Sequence, residues 1–188
     1  MDASLRLEHL MTQIQENAPC PELAALATQL VPGHGNPSAR IVFIGEAPGK
    51  KEDETGLPFQ GAAGKFLNEM LTTAGIDRSD VYITNVVKYR PPHNRDPTQA
   101  EKEAFFPYLK EELAIINPQV VVTLGRHSMN YFLPDAVIGE AHGVPHTAVL
   151  GEEEVLLVPL YHPAAALYNG SLRQTLMDDF MRVAALIA

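Results

Sequence analysis

A single cysteine, Cys20, in 188 residues excludes an internal disulfide and any all-cysteine metal or iron–sulfur site, because each needs several thiolates. No apolar run approaches the roughly 20 residues of a membrane-spanning helix, and the opening Met-Asp-Ala-Ser-Leu-Arg lacks a signal peptide's basic-then-apolar order. The expectation is a cytoplasmic protein with no membrane partner. Internal repeats, low-complexity tracts and linkers are missing too, so residues 1–188 read as a single domain that can bury one sizeable core. Basic charge is scarce: 14 Lys and Arg against 23 Asp and Glu give a net charge of -9. On its face this argues against nucleic acid, since phosphate binding rests on Lys and Arg. The average hides a local excess, however, because Lys88, Arg90, His93 and Arg95 fall within eight residues of one another.

What is present is organised around Ile41 to Lys65. Four apolar residues, Ile41 to Ile44, read as a buried parallel strand. The segment Gly45-Glu-Ala-Pro-Gly49 then breaks it with residues that no strand or helix interior would keep. Ligands of open α/β sheets bind at the carboxyl ends of strands, which makes Glu46 a candidate for chemistry. The acidic run Glu52 to Glu54 reads more simply as a solvated loop. Elsewhere, apolar spacing predicts helices over 4–16, 23–30, 62–74, 98–116 (with Thr98 and Glu101 as a capping box), 126–132 and 172–187. Strands are predicted at 40–45, 81–87, 119–124 and 155–160, and a hairpin or excursion at 133–154. This alternation predicts an α/β fold, a three-layer α/β/α sandwich on a central four-stranded parallel sheet. The polar segments after the first, second and fourth strands then converge at one edge and bring Glu46, Asn85 and His162 together.

These residues carry a resemblance. Gly45-Glu-Ala-Pro-Gly49, Gly56-Leu-Pro-Phe-Gln-Gly61, Thr84-Asn-Val-Val-Lys88 with Arg90-Pro-Pro-His-Asn-Arg95, and His162-Pro-Ala164 closely resemble the motifs of the family-four uracil-DNA glycosylases, in order and at matching spacing from about Leu23 onward. The resemblance implies a monomeric DNA repair enzyme that flips uracil out of DNA and hydrolyses its N-glycosidic bond. It implies Phe59 stacking on the base, with Ala47 also at the substrate, and Asn85 pairing with uracil O4 and N3–H. His162 would donate to the anion developing at O2. Glu46 would orient water or offset the cationic sugar, and Glu52 would line the C5 side of the base. Lys88, Arg90 and Arg95 would meet phosphates, which predicts binding that weakens steeply with salt. Leu167 is either a wedge for the gap left by the flipped base or a buried anchor of its loop.

The family's 4Fe–4S cluster is not expected, so no cofactor is. Of the four cysteine positions that the resemblance implies, two hold Tyr89 and Phe105, and the first pair falls near Ala18 and Pro21 with only Cys20 beside it. The aromatics are expected to fill that volume as an apolar plug. Three other readings stand beside this one: a relative preferring hypoxanthine or xanthine, a covalent trap through His93, and a degenerate fold that only binds nucleic acid or protein. A phosphate-loop nucleotide site is set aside, because Gly45 to Lys50 lacks the Gly-Lys-Ser/Thr ending.

Overall fold

The computed structural model describes residues 2–150 and 153–187. Its frame is four parallel strands: β2 (Ile41–Gly45), β3 (Tyr82–Asn85), β4 (Val120–Leu124) and β6 (Glu153–Leu160). Two antiparallel edge strands flank them, β1 (His34–Gly35) on β3 and β5 (His146–Leu150) on β6, in the order β1-β3-β2-β4-β6-β5. The parallel core agrees with the four-strand expectation, and the sheet extends it to six mixed strands. Of the additions, β1 is a two-residue pairing inside a Pro/Gly-rich turn and carries no periodicity. The other, β5, forms the hairpin expected in 133–154, beyond the short helix α7 (Ile138–Ala141). Residues 151–152 lie outside the described residues.

Both faces of the sheet are covered, so its central strands are apolar on every residue rather than on alternate ones. Val42 and Ile44 face a layer formed by α1 (Ala3–Asn17), α2 (Pro21–Leu26) and α5 (Gln99–Ile116). Ile41 and Phe43 face α4 (Ala62–Thr73) and α9 (Leu172–Ala185), where Phe43 stacks on Phe180 with ring centroids 5.4 Å apart. The result is the three-layer sandwich. Thr98 caps α5 and Glu101 returns its carboxylate to the Thr98 N–H, as the capping pattern predicts. No helix among the described residues is long and apolar enough to cross a membrane.

Two helices lie inside segments that read as loops. One is α3 (Lys50–Thr55), a single polar turn and a half without an apolar stripe. The other is α8 (Pro163–Tyr168), whose signal was Pro163 at its first position. The chain runs from β2 to β3 on one side, then crosses to β4 on the other. The carboxyl ends of β2 and β4 therefore flank the point where strand order reverses, which is where α/β sheets open a crevice.

Candidate active site

A cleft of about 550 Å³ opens at that edge, and Glu46, Glu52, Phe59, Asn85, Asp96 and His162 are among its lining residues. Hydrogen bonds from the Val86 and Val87 N–H groups to the Gly45 and Glu46 carbonyls extend the pairing of β2 with β3 past the strand ends. Glu46 and Asn85 are thereby fixed side by side by backbone alone. Gly45 is required here, because a Cβ on it would meet the Asn85 Oδ1 and the Phe59 ring. Asn85 is buried at 4% exposure, and its side-chain amide has no hydrogen-bond partner among the described residues. Ala47 also lines the cleft.

Phe59 sits in the left-handed region, φ 53°, with its ring against that of His162 at 5.7 Å between centroids. Strain at a bulky residue persists only where the surroundings over-determine it. Glu52 supplies part of that determination. Its Oε1 accepts from the N–H groups of Gln60 (2.6 Å) and Gly61 (2.9 Å), and its Oε2 from Gly49 (3.1 Å), so one carboxylate ties both ends of the loop. Arg78 donates to the Pro58 carbonyl at 3.0 Å from the other side. Glu52 is thus both a wall of the cleft and the brace that shapes it.

His162 caps α8, and its Nδ1 accepts the Ala164 N–H at 3.1 Å. A neutral ring with Nδ1 engaged as acceptor carries its proton on Nε2. Burial pushes the imidazole down to about 4; the Glu52 carboxylate opposes that fall and His127 adds to it. At neutral pH His162 is an uncharged donor.

Glu46 moves the other way. Burial, with Asp96 adding like charge, pushes its carboxyl up to about 7 against the pull of Lys102 and Arg126. Its Oε1 is buried without a protein hydrogen-bond partner, while Oε2 lies 3.8 Å from His127 Nε2. The same nitrogen is 3.3 Å from Asp96 Oδ2. Neither Asp96 nor His127 was singled out from the sequence. The available signal was topological: His127 follows Gly125 at the carboxyl end of β4, the one central strand whose end had been assigned no function. Glu46, Asp96 and His127 bring metal-ligand atoms within 4.8 Å of one another. With the Arg126 guanidinium 3.3 Å from the imidazole nitrogen, we assign no cation to them.

The basic cluster is corrected. Lys88 is fully buried and pairs with Glu112 at 2.6 Å, where no phosphate reaches it. It donates to the Asn85 carbonyl at 2.9 Å and to the Thr84 hydroxyl, and so holds the end of β3. The sequence places it beside arginines, but a four-carbon stem can turn inward when a buried acid awaits it. Arg95 is exposed yet bonded twice to Glu101, at 2.8 and 2.7 Å. Arg90 bonds Asn94 at 2.7 Å and lies 4.0 Å from Asp53. Asp53, expected in a solvated acidic run, is buried and accepts from the Thr28 N–H (2.9 Å) and hydroxyl (2.8 Å). Leu167 is 50% exposed on the cleft's rim, which removes its reading as a buried anchor; Ala166 is the buried residue of that turn. His93 is exposed and does not line the cleft.

The residues do not fit a four-thiolate cluster. Cys20 is buried with its Sγ 4.0 Å from the Glu101 carbonyl, and Tyr89 and Phe105 pack edge to face at 6.1 Å in the same apolar cluster. Burial pushes the Cys20 thiol up, away from the thiolate that a metal needs.

The description "Uracil DNA glycosylase superfamily" matches residues 32–184. Type-4 uracil-DNA glycosylases are similar over nearly the whole chain. That of Sulfurisphaera tokodaii is 44% identical, covering 94% of this chain and 83% of its own. Those of Saccharolobus solfataricus (46%; 81% and 74%) and Archaeoglobus fulgidus (43%; 96% and 92%) are comparable. With its cleft residues standing in the motifs that carry the resemblance, the chain belongs to the uracil DNA glycosylase superfamily, among the type-4 members.

Proposed function

We propose that this protein excises uracil from DNA, hydrolysing the N-glycosidic bond to leave an abasic site. The observation that carries the reading is the convergence of Phe59, Asn85, Glu46 and His162 on one cleft, each presenting the group that the chemistry needs. An extruded uracil stacked on Phe59 meets the Asn85 amide, a donor for O4 and an acceptor for N3–H. Cytosine presents the reverse pattern and leaves both groups unpaired. As the C1′–N1 bond breaks, its electron pair passes to the base, and the His162 Nε2–H donates to the anion gathering at O2. A depressed basicity suits that task, since the neutral ring stabilises the anion without being titrated away. Water bonds to C1′ and gives its proton to the Glu46 carboxylate, which lines the cleft.

Arg90 and Arg95 are the phosphate contacts in this reading, each exchanging an internal partner for DNA, and Leu167 is the wedge from the rim. A monomer acting in the cytoplasm is part of this reading. In this reading no cofactor takes part, because every group the reaction needs is a side chain and two of the four cluster positions hold the aromatics Tyr89 and Phe105.

The test is base release from matched oligonucleotides carrying uracil, hypoxanthine, a thymine mismatch or no lesion, with and without an iron chelator. Uracil release indifferent to chelation, and falling about 10²–10³-fold in His162→Ala while the fold is retained, is expected. Release of hypoxanthine alone would shift the substrate, and no release by folded protein would favour a binding module.

A further inference from the structure

Three elements meet at the Glu46 carboxylate, and His127, on one of them, has no role in the chemistry above. His127 stands in the first turn of α6 (Arg126–Phe132), across the strand-order reversal from Glu46. Its Nε2 accepts the Arg126 Nε–H at 3.3 Å and lies 3.3 Å from Asp96 Oδ2 and 3.8 Å from Glu46 Oε2. Those uses are exclusive. With a proton, Nε2 donates toward the two carboxylates; without one, it accepts from Arg126. We propose that His127 is a positioning residue for uracil excision: in its donor state the Nε2–H engages Asp96, 3.3 Å away, beside Glu46 at 3.8 Å, and so holds Glu46 as the carboxylate that takes the proton of water. The inference rests on the reading of Glu46 as the water-activating group.

The surroundings explain why such a bridge is needed. From β2, Glu46 is presented into a partly desolvated crevice. The charged and titratable groups facing it are Arg126 and His127 on α6, Asp96 on the loop before α5, Lys102 on α5, and Glu52 and His162 across the cleft. Asp96 repels a second negative charge, and without a donor between them the carboxylates favour a protonated Glu46, which cannot accept a proton. A neutral imidazole donor relieves this without adding a cation beside the sugar's developing positive charge. Burial pushes the His127 pKa down, consistent with a neutral ring at working pH.

The bridge and the Asp96 charge act on Glu46 in opposite directions, and this separates the proposal from a structural role. Single-turnover release from a uracil oligonucleotide, followed across the acid limb of the pH profile, is measured for wild type, His127→Phe, His127→Gln, Asp96→Asn and Glu46→Gln. In His127→Phe the limb is expected to move up by about one pH unit, an approximately tenfold loss on the acid side. The alkaline plateau should be kept. His127→Gln, whose amide restores a donor, should lie close to wild type, and Asp96→Asn should move the limb down. A rate in His127→Phe that is unchanged, or lowered equally at every pH, overturns the proposal. Should that variant not fold, an unmoved limb in Asp96→Asn, altered on an exposed loop, overturns it alone. If Glu46→Gln keeps both the rate and the limb, the reading of Glu46 itself has failed. If Glu46→Gln abolishes release while the His127 and Asp96 variants leave the limb in place, only the bridge has failed.

Discussion

Burial acts on Glu46 and His162 with one physical effect and opposite results, because it disfavours whichever form is charged. The carboxyl rises to about 7 and the imidazole falls to about 4. Each shift also affects stability. A folded Glu46 holds its proton to higher pH than the unfolded chain does, so its contribution is present below the unfolded value of 4.5 and is lost as pH rises through about 7. Glu46→Gln should therefore abolish excision and yet melt at a higher temperature than wild type above pH 7, with the difference vanishing toward pH 5. Thermal melts at several pH values check this, and an equal or lower melting temperature at pH 8 would count against the burial account. His162 contributes with the other sign. Its stabilisation is present above the ordinary 6.5 and is lost as pH falls toward 4, so acid melts of His162→Ala should lose part of the pH dependence of wild type in that window. Glu46, Asn85 and His162 were legible in the sequence because each ends a strand or lies within two residues of its end. Asp96 and His127 were not, since neither motif nor periodicity marks them: the crossing of β4 to the far side of β2 brings His127 to Glu46, and Asp96 meets it from the loop before α5.

At the level of elements, the end of β3 is locked from within. Lys88 and Glu112 are each fully buried, and Tyr82 donates to the same carboxylate at 2.9 Å. Breaking such a pair leaves an uncompensated buried charge, whereas replacing both members with apolar groups is often tolerated. Lys88→Met should cost about 3–5 kcal/mol in denaturant melts, and Lys88→Met/Glu112→Leu should recover most of it. Should the single variant be as stable as wild type, the pair would hold nothing. Because Lys88 also bonds the Asn85 carbonyl, any uracil release that survives in the double variant reports how far that bond positions the amide. The helices α3 and α8 show why short elements escape sequence reading. Each is six residues long, too short for a 3.6-residue stripe to declare itself, and each is set instead by its first-turn contacts, those of Glu52 and of His162.

Across the whole molecule, a net charge of -9 and a cleft with few free cations imply modest electrostatic attraction to DNA. With Lys88 buried, two arginines remain as phosphate contacts, and log K should fall with log salt at a slope of about -2, at roughly 0.9 per phosphate. Fluorescence anisotropy over a salt series measures it; a slope beyond about -4 would mean that cations outside this loop carry the binding. Apolar and polar order along the chain determined the layered α/β class, the four parallel strands and the strand-end location of the site, because burial on both faces demands continuous apolar strands and leaves polar residues to their ends. Tertiary structure alone decided what each charge does. Lys88 became internal and Asp53 a buried acceptor, Glu52 became a brace, and His127 came to face Glu46. The energy of a charge depends on its depth and on its neighbours across the fold, and neither is written in its position along the chain.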